Sequence, residues 1–257
     1  MFIDSHCHLS LPDLHAKLPE ILAEMAVAQV EQAVCICTTM EEFPTVRSLA
    51  AEHANLWATV GVHPDNEDVY EPSVEDLVDG ARDPRVVAIG ETGLDYYYDK
   101  SDRDAQKSLF RTHINVSRET QLPLIIHTRD AEEDTHAILA EEMGKGAYPA
   151  LIHCFTASAD FAEKVLALGL TISLSGIVTF KNARDLQEVA KIIPENRLLV
   201  ETDSPFLAPV PHRGRVCEPA YVADTAAFVA GLRGTDVERL KDVTTANFFN
   251  LFSKAKP

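Results

Sequence analysis

Short apolar runs rich in β-branched residues alternate along the chain with longer stretches in which apolar positions recur every three or four residues. The runs predict strands near residues 1–8, 33–39, 56–63, 86–92, 123–128, 150–155, 171–178 and 197–203. The stretches between them, at 18–29, 45–53, 103–121, 132–143, 159–168 and 184–193, read as amphipathic helices, and 221–232 and 237–252 as two closing helices. Pro72, Pro84, Pro123, Gly169 and Pro194 punctuate the pattern where turns are needed. Strand–helix alternation of this kind predicts an α/β fold with a parallel sheet, and eight strands fit a closed (β/α)8 TIM barrel. An open doubly wound sheet shares the alternation. Its nucleotide signature, G-x-G-x-x-G after the first strand, is missing, and that strand ends in His-x-His.

The chain has 257 residues, about the size of one such barrel, and no linker or repeat divides it, so residues 1–257 are expected to form one domain. No uninterrupted apolar run is long enough to span a bilayer; the uncharged stretch 165–180 contains Gly169, Thr171, Ser173 and Ser175 and reads as a helix end passing into a buried strand. The start, MFIDSHCHL, lacks the basic segment and apolar core of a cleavable signal. Five cysteines (Cys7, Cys35, Cys37, Cys154, Cys217) without a C-x-x-C pair argue against a disulfide framework or structural zinc ribbon, which favours a cytoplasmic setting. A formal net charge of −17 disfavours a broad basic surface for nucleic acid, so a polyanionic substrate would be held locally, by metals and a few arginines.

The chemistry gathers at the ends of the predicted strands, where a barrel enzyme keeps its active site. His6 and His8 lie two apart, on one face of the first strand, with Cys7 pointing toward the helices. Alone, such a pair is more readily a hydrogen-bonded core feature than a chelate. Glu91 follows the apolar run VVAIG, and a carboxylate buried there requires a positive partner. His127 in PLIIHTR, His153 in ALIHCF and Asp203 in RLLVETDSPF each end an apolar run in the same way. Packing alone does not account for six such coincidences, and together they predict a metal centre.

At these positions the chain resembles the TatD family of metal-dependent deoxyribonucleases, within the amidohydrolase-like barrels. The resemblance rests on DSHCHL, GVHP at 61–64, GETGLDYYYD at 90–99, HTRDA at 127–131, IHCF at 152–155, ETDSPFLAP at 201–209 and the Arg213–Gly214 pair, and it spans nearly the whole length. It implies two divalent cations per chain, one held by His6, His8, Glu91 and Asp203 and the other by Glu91, His127 and His153, with Glu91 bridging. Mixed nitrogen and oxygen donors suit zinc, manganese, cobalt or iron, with magnesium possible for a nuclease. Asp203 would also serve as general base. Glu201 and Asp4 would orient the ligands, or Glu201 would help to bind a further ion. His63 would stand near the scissile phosphate, and Arg129 and Arg213 would orient phosphate oxygens through paired donors, unless they are held in salt bridges.

The chain departs from the family after Gly214. Where the family continues with two basic residues and asparagine before Glu-Pro, this sequence reads Arg215-Val216-Cys217-Glu218-Pro219, which puts nucleic-acid preference in question while leaving the ligands intact. Cys217 has no neighbouring base and reads as packing. Tyr96-Tyr97-Tyr98 offers either a base-stacking platform or a covering for the barrel rim.

The leading expectation is hydrolysis of an ester bond, the phosphodiester of DNA, which the resemblance implies is cut from a 3′ end of single-stranded substrate, with no obligate protein partner. A small-molecule amide, ester or lactone hydrolase, or a D-aminoacyl-tRNA deacylase, could use the same site. Many small-molecule relatives bridge their metals with a carbamylated lysine, where this chain offers Glu91. A non-catalytic metal-binding barrel is the reading of another class, and the intact ligand set argues against it.

Overall fold

The computed structural model describes residues 1–66, 69–98 and 101–256. Eight parallel strands follow one another in chain order: β1 (Phe2–Cys7), β2 (Val30–Cys35), β3 (Leu56–Val60), β4 (Val86–Asp95), β5 (Leu124–Arg129), β6 (Ala150–Ile152), β7 (Thr171–Leu174) and β8 (Leu198–Val200). The sheet curls until its edges meet. A Cys7–Ser204 bridge, the Asp203 N–H donated to the His6 carbonyl at 3.0 Å and the His8 N–H donated to the Ser204 carbonyl at 2.9 Å join β1 to the turn after β8. The result is the TIM barrel that the alternation predicts.

The ring of helices comprises α2 (Leu18–Val27), preceded by the short α1 (Pro12–His15), then α3 (Phe43–Glu52), α4 (Val74–Ala81), α5 (Arg103–Thr120), α6 (Glu132–Lys145), α7 (Ala159–Ala167), α8 (Arg184–Ile192) and α9 (Val222–Arg233). Helix α4 has no counterpart in the sequence expectation. It is eight residues long, and Ser73 and Asp76 form a reciprocal capping box that starts it. Of the two C-terminal helices, α9 packs along the wall beside α8, and α10 (Val237–Leu251) covers the amino-terminal end of the barrel.

That end is apolar. Ile3, Val34, Trp57, Val87, Ile125, Leu151 and Leu199 form a cluster of their own inside the barrel, closed by Phe248 and Phe252 of the α10 region. Asn247 donates its side-chain amide to the carbonyls of Glu195 and Leu198, and Thr245 donates to the Met1 carbonyl, which seats α10 on the base. A second, larger cluster lies between the strands and the ring. No helix among the described residues is long and apolar enough to cross a membrane. The uncharged stretch 165–180 is the end of α7, a turn at Gly169, β7 and a 3-10 turn at Gly176–Thr179.

Candidate metal centre

The strands that carry apolar residues at the base carry histidines and carboxylates at the carboxyl end. In β5 and β6, Ile125 and Leu151 of the inner cluster are followed two positions later by His127 and His153, as strand alternation requires. β8 repeats the step from Leu199 to Glu201. β1 does it with an irregularity: its register against β2 shifts between Asp4 and Cys7, and across that shift His6 and His8 bring their Nε2 atoms to 3.3 Å while Cys7 joins the outer core. Glu91 does not end its strand, as the apolar run suggests; β4 continues to Asp95. Gly93 lets β4 approach β5 this closely, since a Cβ there would stand 2.0 Å from the His127 carbonyl oxygen.

All six predicted ligands meet. His6 Nε2 is 3.3 Å from His8 Nε2, 3.6 Å from Asp203 Oδ1 and 3.3 Å from Glu91 Oε2, and His8 Nε2 is 3.3 Å from Asp203 Oδ1. Glu91 turns its other oxygen away from this group. Oε1 lies 2.7 Å from His153 Nε2, 3.3 Å from His127 Nδ1 and 3.5 Å from His63 Nε2. Tetrahedral coordination with bonds of about 2.0–2.1 Å spaces its donor atoms by about 3.3–3.4 Å, so the first group already has the spacing a small divalent cation needs. In the second, the 3.5 Å between His153 Nε2 and His127 Nδ1 suits a cation as well, whereas the 2.7 Å between His153 Nε2 and Glu91 Oε1 is shorter than that spacing.

The candidate ligands are held from behind. Asp95 accepts the His127 Nε2–H at 2.9 Å on one oxygen and the backbone N–H groups of Tyr97 and Tyr98 on the other. This leaves His127 Nδ1 for the centre, the carboxylate–histidine arrangement that orients metal ligands. Asp95 was missed in the sequence. Its position four residues after Glu91, on the same face if the strand is read through Gly93, was the available signal. Glu201 lies 3.3 Å from His153 Nδ1, and Asp4 accepts the N–H groups of His6 and Thr202 and the Thr202 hydroxyl.

Burial and charge act against each other here. Burial alone would raise the pKa of Glu91, but the charges of His153, His63 and His6 hold it well below the usual carboxylate range. His153 is opposed by burial and raised by Glu91 and Glu201. Burial lowers His6, with His153 adding to it. Asp203 is lowered because the His8 hydrogen bond and the charges of His6 and His8 outweigh its burial. Ionised carboxylates at this depth need a cationic partner, and a divalent ion supplies it without protonating the imidazoles.

The proposed substrate residues are placed less uniformly. His63 joins the cluster through Glu91, and the N–H of Asp65 is donated to its Nδ1. Burial lowers its pKa to about 4. His113 of α5, absent from the sequence expectation, supports this loop by accepting the Val62 N–H at 3.1 Å. Arg129 lies over the rings of Tyr97 and Tyr98, 3.7 and 4.9 Å from their centroids, and Arg213 lies 3.5 Å over Phe180. Neither is paired with a carboxylate among the described residues. Tyr96 is tied to Asp134 by its phenol, so only Tyr97 and Tyr98 remain exposed. Phe206, also missed, stands exposed with its ring edge-on to His8 at 6.2 Å. Cys217 is fully buried, and burial pushes its thiol up, so it is packing. All five cysteines are free.

Comparison with known proteins places the whole chain in a family. Residues 3–253 match the family model described as TatD related DNase. The chain is 47% identical over 254 residues to the uncharacterized metal-dependent hydrolase YcfH of Escherichia coli K12, covering 97% of this chain and 95% of that one. It is 40% identical to the uncharacterized metal-dependent hydrolase YabD of Bacillus subtilis, covering 98% and 99%. Among solved structures, the TatD homologue YJJV of Escherichia coli superposes with a TM-score of 0.91 at 28% identity, over 98% of each chain.

Proposed function

Since this chain belongs to the TatD family of metal-dependent hydrolases, we propose that it hydrolyses phosphodiester bonds in DNA, acting on a 3′ end of single-stranded substrate with the help of two divalent cations. The observation that carries this reading is the division of Glu91: Oε2 faces His6, in the group with His8 and Asp203, and Oε1 faces His127 and His153. In this assignment His6, His8, Asp203 and Glu91 hold one cation, and His127, His153 and Glu91 hold the other. When bound, the pair would lower the pKa of a water and neutralise the charge that builds on the attacked group.

The side chains do the rest. Asp203 is the least buried of the inner carboxylates, with 15% of its side chain exposed against 3% for Glu91 and 0% for Glu201, so it can reach an entering water. It accepts the proton of the attacking water and returns it to the leaving oxygen. His63 lies on the Glu91 Oε1 side, beside His127, and orients the phosphate there. Arg129 and Arg213, which lie on aromatic rings and have no ion pair among the described residues, keep their guanidinium edges for phosphate oxygens.

The experiment is metal-loaded protein on 3′-labelled single-stranded DNA, with Asp203→Asn in parallel. Loss of label that depends on both the metal and Asp203 supports the proposal. DNA left untouched while a small neutral ester is hydrolysed would replace it with a small-molecule hydrolase. One observation favours that second reading: the loop after Arg213 carries an exposed Val216 where the family pattern has a second basic residue, and a buried Cys217 where it has an asparagine.

A further inference from the structure

Each buried histidine of the cluster has two ring nitrogens, and only one of them turns inward to the bridging Glu91 or its neighbours. For His6 and His153 the inward atom is Nε2. The two rings stack almost parallel, with centroids 3.9 Å apart and planes 9° from each other. Behind them sits Glu201, fully buried, its N–H donated to the Leu174 carbonyl. Its Oε1 accepts the Cys154 N–H at 2.7 Å and lies 3.3 Å from His153 Nδ1. Two buried atoms of this cluster have no hydrogen-bond partner among the described residues: Glu201 Oε2 and His6 Nδ1. A ring nitrogen of each histidine and an oxygen of Glu201 lie within 4.8 Å of one another.

Donor and acceptor accounting decides what this cluster does. With both Nε2 atoms committed to the cations as lone-pair donors, both Nδ1 atoms carry hydrogens. A third cation on the Nδ1 side would require both rings to lose those hydrogens. A carboxylate with one engaged and one open oxygen instead matches two N–H donors, one accepted directly and the other through a bridging water.

We propose that Glu201 is a positioning residue shared by the two halves of the centre: it takes the Nδ1–H of His153 directly and that of His6 through one buried water. The inference rests on the two-cation reading above. His6 belongs to one ligand group and His153 to the other, so a single carboxylate sets the ring orientation and tautomer in both. Asp95 does the same for His127 alone.

This difference is measurable without turnover. Metal-stripped wild type, Glu201→Gln and Asp95→Asn are titrated with zinc by calorimetry, and imidazole 15N–1H spectra are recorded on the zinc-loaded proteins. Glu201→Gln should weaken both binding steps by about 10–100-fold, the usual cost of losing an outer partner of a ligand, and Asp95→Asn only one. Wild type should show Nδ1–H on His6 and on His153. An unchanged or single-step effect of Glu201→Gln, or a third zinc equivalent in wild type that the variant loses, overturns the proposal. Should the variant not fold, the wild-type spectrum decides: a His6 without Nδ1–H rejects it. Wild type that takes up no zinc rejects the two-cation reading itself, whereas two tight equivalents with no response at Glu201 reject only the inference.

Discussion

The base and the mouth of the barrel are made by the same strands and have opposite chemistry. Within a few residues, β1 passes from Ile3 to His6 and His8, β4 from Val87 to Glu91, β5 from Ile125 to His127 and β8 from Leu199 to Glu201. At the base the inner side chains fill space against Phe248 and Phe252 of the closing segment. At the mouth they converge as nitrogen and oxygen atoms 2.7–3.6 Å apart. Filled apolar space stabilises the chain directly, while a cluster of buried carboxylates and imidazoles stabilises it only when a counter-charge is present. The difference teaches that substitutions at the two ends should separate: activity lost without unfolding at the mouth, stability lost without a change in chemistry at the base.

The largest effect is expected at Asp203. Asp203→Asn keeps the shape of the side chain but cannot accept the proton, so kcat should fall by about 100- to 10,000-fold while the circular dichroism spectrum stays that of wild type. A variant with near wild-type kcat would move the general base elsewhere. The base answers with Phe248→Ala, which removes a fully buried ring and should cost about 3–5 kcal/mol of unfolding free energy, read from denaturant midpoints. Zinc stoichiometry should remain unchanged in the fraction that is folded. Loss of metal sites in folded Phe248→Ala would mean that the two ends are coupled.

The comparison also explains which parts of the molecule were legible in the sequence. Parallel strands buried on both faces read as apolar runs, and His6, His8, Glu91, His127, His153 and Asp203 stand out because a polar residue closing such a run is costly. Strand limits were less legible. β4 runs on to Asp95 because the glycines at 90 and 93 accept positive φ values and a close neighbour, which breaks the apolar pattern without ending the strand. Asp95 was hidden for that reason. β7 stops at Leu174, where the run suggested 178, because the residues from Gly176 turn into a 3-10 helix that packs on α9. His113 was hidden differently: inside α5 nothing in the local pattern marks a histidine whose partner, the Val62 N–H, is 51 positions away.

His113 gives a pH test of the same contrast, since it supports the mouth from outside the centre. It accepts the Val62 N–H on Nε2 and is paired through Nδ1 with the Leu109 carbonyl, so only the neutral ring fits. Burial lowers its pKa from 6.5 to about 4. The unfolded chain therefore binds the proton first as pH falls: the contribution is complete above about pH 6.5 and is lost progressively between there and about pH 4. Thermal unfolding across this range should show a steeper acid decline for wild type than for His113→Gln, normalised to pH 7.5. Parallel declines would remove the account of His113. A smaller effect is expected from Arg213→Ala. Losing one phosphate contact should lower the slope of log affinity against log salt by about 0.7 for single-stranded DNA, with metal content unchanged. An unaltered slope would place Arg213 outside the substrate path.

The central claim, that Glu91 joins two cation sites at the mouth, is tested most directly by counting. Metal-stripped protein titrated with zinc and measured by elemental analysis after dialysis should retain close to two equivalents per chain, and Glu91→Ala should retain fewer than one, because both sites lose a shared ligand. Two equivalents held undiminished by Glu91→Ala, or none held by wild type, would contradict it.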